Sequence, residues 1–151
     1  MSVRRVLIDS NVPLYALGAP SKWREPCREV LVALAEGRLL GVASVEMIQE
    51  VVHHRLRMTG DPAAAVEDAR DVARLVTVVP FSEAVLEAAL RLIESTCAIR
   101  GRDAVHAATA LTQQVDTIVS IDPAFDAVLG LERIDPASGR LWGDQKTVYP
   151  G

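Results

Sequence analysis

Two kinds of apolar pattern alternate along the chain. Short unbroken apolar runs predict buried strands. Apolar positions three and four apart predict helices with one inward face. Val3–Ile8 is the first strand, closed by Asp9-Ser10-Asn11. Pro13 can open a short helix through Leu17, and Gly18 to Ser21 reads as a loop. Glu25-Pro26 starts a helix with proline in its first turn, where a missing N–H costs nothing. Val30, Leu31, Leu34 and Ala35 form its inner face, and Gly37 ends it. Leu39–Ala43 is the second strand. Ser44 caps a helix to about Met58, stopped by Gly60. Val45, Ile48, Val52 and Leu56 are its expected inner stripe. Asp61-Pro62 opens an Ala-rich helix to about Leu75, and Thr77–Pro80 is the third strand. Ser82 caps a helix to about Glu94 with an apolar stripe of Val85, Leu86, Ala89, Leu90 and Ile93. Asp103 opens a helix through Gln114, and Thr117–Ser120 is the fourth strand. Asp122-Pro123 begins a short turn ending near Gly130, and Leu131–Ile134 is a fifth strand.

Strands alternating with helices predict an α/β fold. The expected form is one domain with a parallel central sheet of four or five strands, helices on both faces and right-handed crossovers. The domain is expected over residues 1–136. Residues 137–151 form a tail without usable periodicity, in which Trp142 and Tyr149 are the groups able to dock.

Composition narrows the class. The chain has 151 residues, which suits a single core. Half of it is hydrophobic but only 4% is aromatic, so the core is built from Val, Leu, Ile and Ala. The net charge of −4 argues against a broad basic surface for sequence-independent nucleic-acid binding. Lysine occurs only at 22 and 146; the other basic groups are arginines, which suit forked contact with phosphate or carboxylate. Cys27 and Cys97 match no CxxC spacing, as expected for reduced thiols in a cytoplasmic protein. No apolar run approaches the ~20 residues of a membrane span, and the run after Arg4-Arg5 is too short for a signal peptide.

The candidate chemistry lies in the acids, each with an ordinary structural alternative. Asp9 ends the first strand, where open α/β sheets bind ligands, but it also suits a helix N-cap. Asp122 repeats the arrangement after the fourth strand, again as a good N-cap before proline. Asp126, one turn on, either shares a metal or faces solvent. Asp103 sits at a helix start, which the helix dipole favours anyway. His106, one turn later, reads as a core or supporting group rather than a ligand. Glu50 falls on a row with Glu46, His53 and Arg57, off the expected apolar stripe; by pattern alone it is solvated, and Glu46 is an equal candidate.

Joint placement carries more than any one acid. Two acids follow strands and two lie in the first two turns of helices entering from loops, and in a doubly wound sheet these places share one edge. Carboxylates packed so closely raise each other's pKa unless a hard cation joins them. Mg²⁺ takes oxygen ligands and keeps sites for water and phosphate, and such ions drive phosphodiester hydrolysis.

Val6-Leu7-Ile8-Asp9-Ser10-Asn11, Ser44 through Glu50, Arg102-Asp103-Ala104-Val105-His106-Ala107-Ala108 and Ser120-Ile121-Asp122-Pro123-Ala124-Phe125 resemble the four signatures of PIN-domain nucleases. The small size and the closing Gly130 to Pro136 stretch resemble the VapC-type toxins of toxin–antitoxin pairs. The resemblance covers Val3 to about Pro136. It implies a PIN-like α/β/α domain and a Mg²⁺- or Mn²⁺-dependent endoribonuclease acting on RNA such as tRNA or rRNA. It also implies a homodimer and inhibition by a VapB-like antitoxin. Carried over, Asp9, Glu50, Asp103 and Asp122 are the catalytic acids, with Asp9, Asp103 and Asp122 as metal ligands. Glu50 is thereby chosen over Glu46. Ser10, Asn11 and Asp126 become supporting groups. Arg100, Arg102, Arg55 and Arg57 are the candidate RNA contacts. Pro123 departs from the family pattern, which has Asp or Arg there more often. The alternative is a catalytically inactive PIN-like module that binds RNA or protein. A receiver domain is disfavoured because the third strand ends in Pro80-Phe81-Ser82, and an Asp-nucleophile phosphatase because Asn11 stands where a second Asp is needed.

Overall fold

Each expected run forms an element in the computed structural model, which describes residues 3–142. In chain order these are β1 (Arg4–Ile8), α1 (Asn11–Leu17), α2 (Arg24–Ala35), β2 (Leu39–Ser44), α3 (Val45–Thr59), α4 (Pro62–Leu75), β3 (Val76–Val79), α5 (Glu83–Ser95), α6 (Gly101–Thr112), β4 (Thr117–Val119) and β5 (Glu132–Ile134). A 3-10 turn, Pro123–Ala127, joins β4 to β5. All pairings are parallel, in the order β3-β2-β1-β4-β5.

Strand alternation builds two cores. Val6 and Ile8 of β1 face a cluster with Val12, Cys27, Val30, Met47 and Val51, under α1 to α4. Leu7 faces the other way, onto Val85, Ala89, Ala104, Ala107 and Phe125, under α5 and α6. The alanine face of α6 lets it lie close on the sheet. The caps follow the sequence. Ser44 Oγ accepts from Glu46 N at 3.1 Å and Asp61 Oδ1 from Ala64 N at 3.1 Å. Gly60, at φ 64°, ends α3 with its N–H on Leu56 O.

Two helix faces differ from expectation. In α3 the fully buried row is Met47 and Val51, whereas Val45 and Leu56 are exposed. Apolar residues occupy several faces of α3, so periodicity does not choose among them; packing between the sheet and α4 does. This rotation turns Glu50 inward. In α5 only Val85 and Ala89 of the stripe are buried, and Leu86, Leu90 and Ile93 face outward. After β5 the chain turns back through Pro136–Ser138 and Arg140–Trp142. Leu141 joins the first core, and Arg38 lies 5.2 Å over the Trp142 ring. Tyr149 lies outside the described residues.

The strand order reverses around β1: its chain-successor β2 lies on one side and β4 on the other. The crevice beyond the carboxyl ends of β1 and β4 is the topological switch point, where open α/β sheets bind ligands.

Candidate active site

Asp9 leaves β1 straight into that crevice. It is 3% exposed, and its oxygens are held by three donors. Ser10 N donates to Oδ1 at 2.8 Å; Asn11 Nδ2 and Ser120 Oγ donate to Oδ2 at 3.0 and 2.6 Å. Asp9 therefore does not cap α1. Nor does the Ser10 side chain, because its hydroxyl donates to Glu50 Oε2 at 2.6 Å.

Glu50 reaches the crevice from the second turn of α3, with its side chain 15% exposed. Its other oxygen, Oε1, lies 2.9 Å from His106 Nε2. His106 is fully buried and also stands 3.8 Å from Asp9 Oδ1. Its Nδ1 has no hydrogen-bond partner among the described residues. Asp103 is the third residue of α6, two places deeper than a helix opening at Asp103 would put it, because Arg100 takes the N-cap position. Asp122 follows β4. Its Oδ1 accepts from Ala124 N at 2.9 Å, so it caps the 3-10 turn as well as facing the site.

The electrostatics show how closely these groups stand. Burial raises the Asp9 carboxyl, against the opposing pull of His106 and its hydrogen bonds. Asp103 is pushed up to about 6 by burial and by the charges of Asp9 and Asp122. Burial acts on Glu50 too, but its bonds to His106 and Ser10 outweigh it and lower the carboxyl. His106 is held down by burial and raised on balance by Glu50, Asp9 and Asp103. One imidazole thus faces three acids, with Asp122 close enough to add to the strain on Asp103.

That donor set suits a hard divalent cation. Asp103 is a part-buried carboxylate perturbed by burial and neighbouring charge. Among the described residues no three His, Cys, Asp or Glu side chains converge closely enough, as they stand, to hold a metal ion. What fits a cation is the chemistry of the donors: Mg²⁺ takes carboxylate oxygens and completes its shell with water and phosphate.

The supporting groups divide. Ser10 and Asn11 lie inside the network. Asp126 does not reach it: its carboxylate is 56% exposed and pairs with Arg133. Of the arginines, Arg100, Arg102 and Arg57 are exposed, and Arg102 is near enough to help lower Glu50. Arg55 corrects its expectation as an RNA contact: it is only 17% exposed and is held by Asp68 at 2.9 Å and the Leu17 carbonyl at 3.2 Å. It braces α3 against α4 and α1. Sequence reasoning did not single out Ser120, although a small hydroxyl two residues before a strand-end acid is a usable signal.

The fold and the site define a PIN domain. The PIN-domain family model matches residues 6–130, and the chain belongs to that family. It is 35% identical to Ribonuclease VapC7 of Mycobacterium tuberculosis over 93% of this chain and 99% of that protein. Among solved structures it superposes on VapBC2 of Rickettsia felis, bound to a DNA fragment from its promoter. That match has TM-score 0.66 and 16% identity, and covers 86% of this chain and 97% of that one. It also superposes on VapC20 of Mycobacterium tuberculosis, described as a sarcin-ricin loop cleaving toxin. There the TM-score is 0.66 and the identity 16%, over 81% and 93% of the two chains.

Proposed function

We propose that this chain is a metal-dependent endoribonuclease that hydrolyses RNA phosphodiester bonds, and the toxin of a type II toxin–antitoxin pair. The observation that carries the reading is the gathering of Asp9, Glu50, Asp103 and Asp122 near the carboxyl ends of β1 and β4, close enough that Asp103 feels the other three, with His106 buried among them. Asp9, Asp103 and Asp122 would hold Mg²⁺ or Mn²⁺. When bound, such an ion supplies Lewis-acid polarisation of the scissile phosphate and acidifies water. Ser10, Asn11 and Ser120 keep the Asp9 oxygens oriented. Glu50, held by His106 and Ser10, accepts a proton or orients the attacking water. Arg102, exposed beside Glu50, is placed to meet an RNA phosphate, with Arg100 and Arg57 further out.

The near full-length likeness to a named ribonuclease supports RNA as substrate, tRNA or rRNA being the expected classes. Likeness to toxin–antitoxin complexes supports a VapB-like partner. The outward Leu86, Leu90 and Ile93 of α5 support a homodimer. The two free thiols, Cys27 and Cys97, support a reducing, cytoplasmic setting. Among the described residues no helix is long and apolar enough to cross a membrane. Purified protein incubated with total RNA and Mn²⁺ should cleave it, EDTA should stop cleavage, and Asp9→Asn should abolish it. Full metal-dependent activity in Asp9→Asn would refute the site.

A further inference from the structure

Arg133 stands on the edge strand β5, opposite Ile118 of β4, with its side chain 16% exposed. Every limb of its guanidinium is engaged. Nε and Nη2 donate to the two oxygens of Asp126 at 2.9 and 3.1 Å, a fork that lysine cannot make. Nη1 donates to the carbonyls of Ser120 at 3.2 Å and Ile121 at 3.5 Å.

Those carbonyls belong to the two residues before Asp122. β4 ends at Val119, and past the Ser120 N bond to Ile134 O the sheet no longer holds this segment. On its inner side the Ser120 hydroxyl reaches Asp9, and Asn11 Oδ1 accepts from Ile121 N at 3.4 Å. On its outer side Arg133 holds it. An ion pair with a half-exposed carboxylate contributes little stability. What this one adds is direction: Asp126 fixes the guanidinium plane, and the remaining limb fixes two consecutive peptide groups.

We infer that Arg133, oriented by Asp126, is a positioning residue that keeps Ser120 and Asp122 aimed at Asp9. The inference rests on reading the crevice as a Mg²⁺ or Mn²⁺ site. It also gives Asp126 a role at one remove from the acids.

The test uses the full chain, with Mn²⁺ binding by calorimetry and RNA cleavage kinetics, at a temperature where circular dichroism shows each variant folded. Arg133→Met removes the fork and keeps most of the stem. Mn²⁺ affinity should fall roughly tenfold or more, as for other groups that orient metal ligands. kcat should fall while KM changes little. Arg133→Lys, charged but unable to fork, should resemble Arg133→Met rather than the wild type. Asp126→Asn should show a smaller loss in the same direction, and it carries the test where Arg133→Met does not fold. Folded variants that bind Mn²⁺ like the wild type, with only their melting temperature lowered, would overturn the inference. Asp9→Asn separates the two readings. If it binds Mn²⁺ as tightly as the wild type, the site itself is misread; if it loses binding while both Asp126→Asn and Arg133→Met keep it, only the positioning role fails.

Discussion

The Ser120 hydroxyl lies 2.6 Å from Asp9 Oδ2 and joins residues 111 apart in the chain. Ser120 Oγ in turn accepts from Asn11 Nδ2 at 3.1 Å and from Asp122 N at 3.0 Å. One hydroxyl therefore ties together the ends of β1 and β4 and both acids that follow them. It can do so only because the two strands are neighbours in the sheet. Asp9 is almost out of water, so its protein donors replace solvent as its stabilisers.

Ser120→Ala should therefore be costly for so small a change. A buried carboxylate loses one of its three donors, and the Asp122 amide loses its acceptor. The expected loss is about 1–3 kcal/mol, the usual cost of an unmet buried polar group. Urea unfolding in EDTA measures it directly, and cleavage should fall as Asp9 and Asp122 lose their common tie. Wild-type stability in this variant would mean that water replaces the hydroxyl.

His106 is the buried hydrogen-bond partner of Glu50, and the acids around it raise its imidazole on balance. His106→Leu keeps much of the volume but leaves the carboxylate with Ser10 alone. Leaving a largely buried carboxylate short of a hydrogen bond costs about 1–3 kcal/mol. Denaturation in EDTA near neutral pH should show a loss of that order, and His106→Asn, which can still donate to Glu50, should lose less. Equal losses in both would show that packing, not the bond to Glu50, decides the effect.

The two thiols should separate chemically. Cys27 is fully buried in the first core, and burial pushes its thiol up to about 12. Cys97 is exposed. Thiolate is the reactive form, so alkylation of the native protein near pH 8 should modify Cys97 alone. Denaturant should release the second site, and mass spectrometry counts the adducts. Rapid double labelling without denaturant would show that the core under α1 and α2 opens readily.

How much of this was legible beforehand differs residue by residue. Asp9 and Asp122 were visible because each ends an apolar run, and strand ends are set by local pattern. Glu50 was not, because α3 carries apolar residues on several faces and only its packing against the sheet and α4 selects Met47 and Val51. Family likeness selected Glu50 where the helical wheel placed it in water, and the side chain turns inward to Ser10 and His106. His106 read as a supporting group, and its burial against Glu50 agrees. Ser120 and Arg133 act through contacts that exist only once β4 lies beside β1 and β5; the spacing of Ser120 from Asp122 is a local signal for the first, and nothing near Arg133 announces the second. The α5 stripe failed differently. Its period was right, but α5 packs chiefly on α6 rather than on the sheet, and of the stripe only Val85 and Ala89 are buried.

Asp103 ties stability to function most directly. Its carboxyl rises from 3.8 to about 6 through burial and the neighbouring acids. A carboxyl raised in the folded state binds its proton more tightly there than in the unfolded chain. Ionising it thus disfavours folding, by nothing below about pH 3.8 and by the full amount above about pH 6. Two units set an upper bound of about 3 kcal/mol, less because Asp103 is only part-buried. His106 acts in the same sense at higher pH. Its pKa is raised on balance, so its contribution is whole below its ordinary 6.5 and fades as pH rises through its folded value. These two groups should therefore take stability from the metal-free protein as pH rises from about 4 to above neutral, while the lowered Glu50 carboxyl offsets them only at the acid end. Asp103→Asn should remove the acid's share of that slope and be more stable than the wild type in EDTA at pH 7.5, by about 1–2 kcal/mol. The same variant should neither gain stability from Mn²⁺ nor cleave RNA. Thermal melts with and without Mn²⁺ across this range provide the measurement. A less stable, still metal-responsive Asp103→Asn would show that the carboxylate is held by favourable contacts rather than kept under strain for a cation.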